Sequence, residues 1–181
     1  KKFKTVDISV FCTGMHDPDE EKKLSSEKIR EIMETNFFGT LNCIMAVNTF
    51  FREKKSGHIS IVSSVAGYRG LPAASGYCAS KSALTSLAES LYFDFKRHNV
   101  RVSLVSPGFI KTPMTDKNKF PMPMIKSPEF AAEKMFIGLT KKNAFEIHFP
   151  VVFTTMMKLL KIMPNWLYFF LIKKGMKNIK F

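Results

Sequence analysis

The sequence predicts an α/β fold, a doubly wound parallel sheet with helices on both faces in three layers (α/β/α). Two observations predict it. Three short runs, Val6 to Phe11, Ile59 to Val62 and Val100 to Val105, are apolar and rich in β-branched residues, as strands are. Between them lie long segments whose apolar residues recur at helical spacing. Strands that alternate with helices pair in parallel, because each crossover helix brings the chain back to the same end of the sheet. A chain of 181 residues is long enough for one such core.

The first strand ends in Cys12-Thr13-Gly14. Asp17 to Lys23 follows, with four carboxylates in five positions. It has neither the spacing nor the central glycine of a calcium loop and reads as a solvated turn. Ser25 or Ser26 caps a helix that carries Glu27 in its first turn. Ile29, Ile32, Met33, Phe37, Leu41, Ile44 and Met45 form its apolar stripe, and the helix ends near Gly57. Asn36 interrupts that stripe. A buried amide there needs partners, since an unsatisfied one costs roughly 1–3 kcal/mol.

Ile59 to Val62 is short and mostly apolar, which suits burial on both faces of a parallel sheet. A loop with Gly67, Gly70, Pro72 and Gly76 leads to a long helix from Tyr77. Its stripe is Leu84, Leu87, Ala88, Leu91 and Phe95. Lys96, Arg97 and His98 end it where cations favour the helix dipole, with Asn99 as a left-handed terminator. After the strand Val100 to Val105 come Pro107-Gly108 and a loop, Met114 to Ile125, rich in proline and methionine. Ser127-Pro128-Glu129 opens a helix with proline at its favoured first position. Ala144 to Phe149 reads as a final strand.

The chemistry gathers in Ser64 to Lys81. Tyr77 and Lys81 are four residues apart, so on a helix they leave the same face one turn apart. A phenol ordinarily ionises near pH ~10 and is a poor base at neutral pH. An ammonium about 4 Å away favours the phenolate by about 4 kcal/mol at an effective dielectric of ~20. That is enough to make a tyrosine a general acid/base near pH ~7. Ser64 stands where a strand ends and can meet the oxygen that the tyrosine protonates.

Ser64, Tyr77-Cys78-Ala79-Ser80-Lys81 and the later Pro107-Gly108 with Thr112 together resemble the active site of the short-chain dehydrogenase/reductase family. The YxxxK spacing alone is weak, and the ordered context carries the resemblance. It implies a Rossmann-like fold and an oxidoreductase that moves a hydride between NAD or NADP and a carbonyl or alcohol substrate. Tyr77 would be the acid/base, Lys81 would lower its pKa and hold the nicotinamide ribose, and Ser64 would bind the substrate oxygen. Asn36, in Asn36-Phe37-Phe38-Gly39, would hold a water linking the lysine to solvent. Gly14 is the one residue kept from the family's Asn-Asn-Ala-Gly strand end and would lie beside the cofactor. Pro107, Gly108, Ile110 and Thr112 would contact the nicotinamide and pyrophosphate, and Met114 to Ile125 would be the substrate loop.

No GxxxGxG or GxGxxG turn occurs, so the usual cradle for a dinucleotide pyrophosphate is missing from the sequence. The resemblance covers the second part of the family's fold. Residues 1–149 read as the C-terminal part of one Rossmann-type domain, and 150–181 as a helical extension of it. The chain begins with Lys1, at what corresponds to the fourth strand, and reads as part of a longer protein. The resemblance also implies a homodimer or homotetramer through the helices at Ser26–Lys55 and Tyr77–His98.

The net charge of +13 raises the question of nucleic acid or an anionic membrane. Basic and aromatic residues do not alternate as in RNA-binding motifs, which argues against nucleic acid. From Ile147 to Phe181 there are six lysines and no carboxylate. Val151 to Ile172 is broken by Lys158, Lys161, Pro164 and Asn165, so it is no confident membrane span. It reads as two short helices parted at Pro164, the second apolar on every side. It reads either as an element packed on the domain or on a partner subunit, or as an interfacial anchor or a cover over a lipophilic substrate site.

Three cysteines, Cys12, Cys43 and Cys78, without CxxC spacing, suit a reduced cytoplasmic compartment. His16, His58, His98 and His148 fall in separate segments, read as surface or edge positions, and suggest no metal. The rival to the enzyme is a non-enzymatic, membrane-associated or regulatory protein on the same scaffold, favoured by the missing glycine turn.

Overall fold

The computed structural model describes residues 5–18 and 23–176. Most of the carboxylate run at Asp17 to Lys23 lies outside the described residues. Four strands, β1 (Ile8–Phe11), β2 (Gly57–Val62), β3 (Val100–Pro107) and β4 (Glu146–Phe149), form one sheet in chain order. Every pairing is parallel; Ile59 stands beside Val102, and Val105 beside Ile147.

Helices α1 (Ser26–Met33) and α2 (Gly39–Lys54) are joined by a π-helical turn, Glu34–Phe38. Then come α3 (Ser75–Lys96), α4 (Pro128–Lys141), α5 (Val151–Ile162) and α6 (Asn165–Met176). Of the two candidate caps for α1, Ser25 is the one used: its hydroxyl accepts the Lys28 N–H at 3.2 Å. Ser127 caps α4 in the same way. The left-handed terminator after α3 is found at Asn99, with φ 56°.

Alternate residues of the central strands feed the two faces. Ile59, Ile61, Val102 and Leu104 pack on Ile44, Phe51, Leu84, Ala88 and Phe95 of α2 and α3. Val62, Val105, Ile147 and Phe149 meet Leu139 of α4 on the other face. The doubly wound arrangement expected from the sequence is therefore present.

Within the helices and strands, Met45 and His58 depart from the sequence reading. Met45, assigned to the inner stripe, is 58% exposed, because α2 rolls after the π turn advances its phase. His58, read as a surface or edge residue, is buried in β2, where its Nε2 meets Ser103 Oγ at 2.8 Å. A central strand has no solvent face, so its histidine must stay neutral and bonded. Burial, helped by the Arg101 charge, pushes the ring down to about 4.

Two polar clusters fix the C-terminal helices. Glu146 accepts from the Tyr68 hydroxyl at 2.5 Å and from Ser106 Oγ at 2.8 Å, and pairs with Lys158 of α5 at 2.5 Å. Burial by itself pushes this carboxyl up, but Lys158 and the two hydroxyls outweigh it and hold it below the usual range. Arg69 closes the α5–α6 corner. Its Nη1 donates to Leu160 O and Met163 O, each at 2.6 Å, and its Nη2 donates to Asn165 Oδ1 at 2.5 Å. The guanidinium also lies 4.0 Å from the Tyr168 ring centroid.

Candidate active site

The carboxyl ends of parallel strands deliver the candidate residues to one crevice. Ser63 and Ser64 leave β2 in opposite directions. Ser63 turns inward and donates to Lys81 O at 2.8 Å. Ser64 caps the short turn Val65–Gly67 by accepting the Ala66 N–H at 3.1 Å, and it borders a cavity.

The first turns of α3 present Tyr77 and Lys81 one turn apart, as their spacing requires. Tyr77 borders the same cavity as Ser64. Lys81 lies beneath, 4% exposed, its Nζ 5.7 Å from the Tyr77 ring centroid and donating to Val62 O at 3.0 Å. Burial pushes its ammonium down to about 8.

Asn36 is fully buried at the centre of the π turn. Its Oδ1 accepts the Met15 N–H at 2.7 Å; its Nδ2 donates to Met15 O at 3.0 Å and to Ser80 Oγ at 2.9 Å. One amide thus ties the segment after β1 to the catalytic helix α3. Ser80 is buried and donates to Tyr77 O at 2.8 Å, so Ser64 is the serine that faces the cavity. Gly14 lies against Lys81 and Asn36 and is not among the residues that border the cavity. A Cβ there would come within 3.3 Å of Lys81 Nζ and 3.8 Å of Asn36 Oδ1, so the missing side chain leaves the ammonium room.

Beyond β3, Gly108 borders the cavity and its N–H donates to Phe149 O at 2.8 Å. A Cβ at Gly108 would meet Phe153 of α5 at 2.7 Å, so this turn and α5 are in close contact. Ile110 packs its side chain against the core cluster of Val62, Val105, Leu139, Ile147 and Phe149, which leaves its backbone for a ligand. The Thr112 N–H donates to Thr115 Oγ1 at 2.9 Å. Pro107, Ile110 and Thr112 are not among the cavity's bordering residues, so they sit beside the pocket that Ser64 and Tyr77 share.

That cavity measures ≈ 350 Å³. Its walls are mostly apolar: Leu71, Phe109, Met114, Phe120, Phe153 and Met157 are among them. Met114 and Phe120 belong to the expected substrate loop. Phe153 and Met157 of α5, and Leu171, Ile172 and Gly175 of α6, border it too, as the cover reading of Val151 to Ile172 expects, although that reading singles out none of them. His16, read as a surface residue, was not foreseen; its ring lies 4.6 Å from that of Tyr77 at 35° and borders the cavity. Its position was a usable signal, since two residues past a strand-end glycine is already in the crevice.

Residues 1–121 match the family described as short chain dehydrogenase, and the chain belongs to that family. An uncharacterized oxidoreductase of Myxococcus xanthus (strain DK1622) is 36% identical over 163 residues, covering 90% of this chain and 64% of the relative. A short chain dehydrogenase from Burkholderia cenocepacia J2315, solved in complex with NADP, is 26% identical with a TM-score of 0.71. That match covers 84% of this chain and 64% of the other. Another from Mycobacterium paratuberculosis, solved bound to NAD, is 28% identical with a TM-score of 0.64, over 78% of this chain and 62% of that one. The chain thus spans just under two thirds of the length of these proteins.

Proposed function

We propose that the protein is an NAD(P)-dependent oxidoreductase acting on an apolar alcohol or carbonyl compound. One observation carries this reading: Tyr77 and Ser64 open together on an apolar cavity, with the Lys81 ammonium buried beneath the tyrosine. Burial leaves the cation poorly screened, so its effect on a nearby phenol is larger than in water. Tyr77 donates a proton to the carbonyl oxygen in reduction and takes one from the hydroxyl in oxidation. Ser64 donates a hydrogen bond to the same oxygen. Asn36 keeps the strand end against α3, and as a proton-relay residue it would order a water beside Lys81.

The residues present fit the nicotinamide end of the cofactor. Gly14 leaves space over Lys81 Nζ, and the turn from Pro107 to Thr112 offers the Ile110 backbone and the Thr112 hydroxyl. When bound, the nicotinamide supplies or accepts the hydride. Both NAD and NADP suit these residues, and relatives solved with each support either cofactor. Phe38 of the π turn, Met45 and Phe50 of α2 and Phe93 of α3 stand exposed, which supports assembly as a homodimer or homotetramer through those helices. Cys12, Cys43 and Cys78 form no disulfide, which supports a cytoplasmic location.

Tyr77→Phe in the complete protein tests the reading. It removes one hydroxyl, so the fold and cofactor binding should persist while turnover falls by about 10²-fold or more, the usual contribution of general acid–base catalysis. Carbonyl reduction at the native rate would overturn it.

A further inference from the structure

We propose that α5 and α6 seat the protein on an anionic lipid bilayer, and that the substrate is an alcohol or ketone dissolved in that bilayer. The choice of substrate rests on the oxidoreductase reading above; the docking surface does not.

Helix α6 is apolar on two opposed faces. Its inner face holds the buried Tyr168 and puts Leu171, Ile172 and Gly175 on the cavity. Its outer face carries Trp166, Phe169 and Phe170, which are 72%, 63% and 59% exposed. Positions i, i+3 and i+4 form one stripe, so these three rings stand side by side in water. Helix α5 repeats the pattern. Phe153 and Met157 point inward, while Val152, Met156 and Leu159 stand outward at i, i+4 and i+7, with Ile162 beyond them. A helix apolar all round belongs inside protein or lipid.

Charge decides which of these covers it. No carboxylate occurs from Ile147 to Phe181. Lys173 and Lys174 are exposed beside the aromatic stripe of α6, and Lys161 is exposed at the end of α5. A second copy docking face to face would set this cationic surface against itself. An anionic headgroup layer complements it, and tryptophan and lysine are favoured at that depth. No helix among the described residues is long and apolar enough to cross a membrane, so the contact is interfacial. Helix α5 lies beside β4, at the sheet edge opposite β1, and Arg69 ties α6 to its end, so a strand added at β1 leaves this corner open.

The same helix is therefore both cavity wall and lipid contact. A molecule passing α6 moves from the hydrocarbon boundary into an apolar chamber that ends at Ser64 and Tyr77. A lipophilic alcohol or ketone avoids water on that route.

Co-sedimentation of the complete protein with vesicles tests the proposal. Vesicles of phosphatidylcholine alone are compared with equal parts phosphatidylcholine and phosphatidylglycerol. Binding to the anionic vesicles, falling as salt rises, is expected. The triple variant Trp166→Ala, Phe169→Ala, Phe170→Ala should weaken it by about tenfold or more. Lys173→Glu with Lys174→Glu should do the same at about 1 kcal/mol per lysine. The triple variant should reduce cyclohexanone in water at the native rate but lose the rate on a long-chain methyl ketone held in the vesicles. Wild-type protein that stays in the supernatant at low salt overturns the docking. So does a triple variant that binds as the wild type does. A triple variant whose light-scattering mass drops, without vesicle binding by either protein, shows an interface between copies and also overturns it. If vesicles bind but no ketone is reduced, the docking stands and the enzyme reading falls.

Discussion

Lys81 is a cation held away from water, 4% exposed, with Val62 O at 3.0 Å as its backbone acceptor. Burial lowers its pKa from 10.5 to about 8. The unfolded chain therefore holds that proton more tightly than the folded one. Below pH ~8 the fold carries the full cost of burying the charge, on the order of 3 kcal/mol at about 1.4 kcal/mol per unit. That cost is relieved as pH rises from about 8 to 10.5. Lys81→Met should accordingly be more stable than the wild type at pH 7 although inactive. The gap should close as pH approaches 10, and denaturant titrations at several pH values read it directly. A gap that does not change with pH would mean that the ammonium is better solvated than its burial indicates. That Tyr77, Lys81 and Ser64 come together was legible in the sequence because the Tyr77–Lys81 spacing puts both on one helix face and Ser64 ends a strand beside it. His16 and His58 were not, because histidine suits surface, core and pocket alike and only long-range packing decides.

Elements were legible where the local signals were strong. Pro128, Asn99 and Pro164 marked a helix start, a helix stop and a helix break, and each falls where the structure has one. The apolar character of α6 could be read, but not which half of it faces the cavity, since its partner Arg69 lies 96 residues before Asn165. That arginine satisfies carbonyls at the end of α5 and holds the first residue of α6. Hydrogen bonds to a charged group contribute about 1.5–3 kcal/mol. Arg69→Met keeps an apolar stem near Tyr168 and removes every one of those bonds. It should cost about 2 kcal/mol in stability and raise amide hydrogen exchange across Asn165 to Met176 well before the sheet responds. Uniform loss of protection in sheet and α6 alike would show that the corner does not open on its own.

At the scale of the whole molecule, the described residues leave the β1 edge of the sheet uncovered. On β1, Ile8 and Val10 are 39% and 43% exposed, whereas the alternate residues of β2 and β3 are buried. Apolar side chains on an open edge invite further strands. A dinucleotide spans a crevice built from both halves of a doubly wound sheet, with its pyrophosphate on a glycine-rich turn. On the proposed reading, these residues hold the nicotinamide end, and no glycine-rich turn occurs in the sequence for the pyrophosphate. The 181-residue chain should therefore bind NADPH only at about millimolar affinity, roughly −4 kcal/mol. It should bind reduced nicotinamide mononucleotide about as well, because the adenosine half finds nothing to hold it. The net charge of +13 attracts any polyanion at low salt, so the calorimetric titration belongs near 0.15 M salt, where that attraction is screened beyond about 8 Å. Micromolar NADPH affinity under those conditions, with a large advantage over the mononucleotide, would mean that these residues hold the pyrophosphate without a glycine turn.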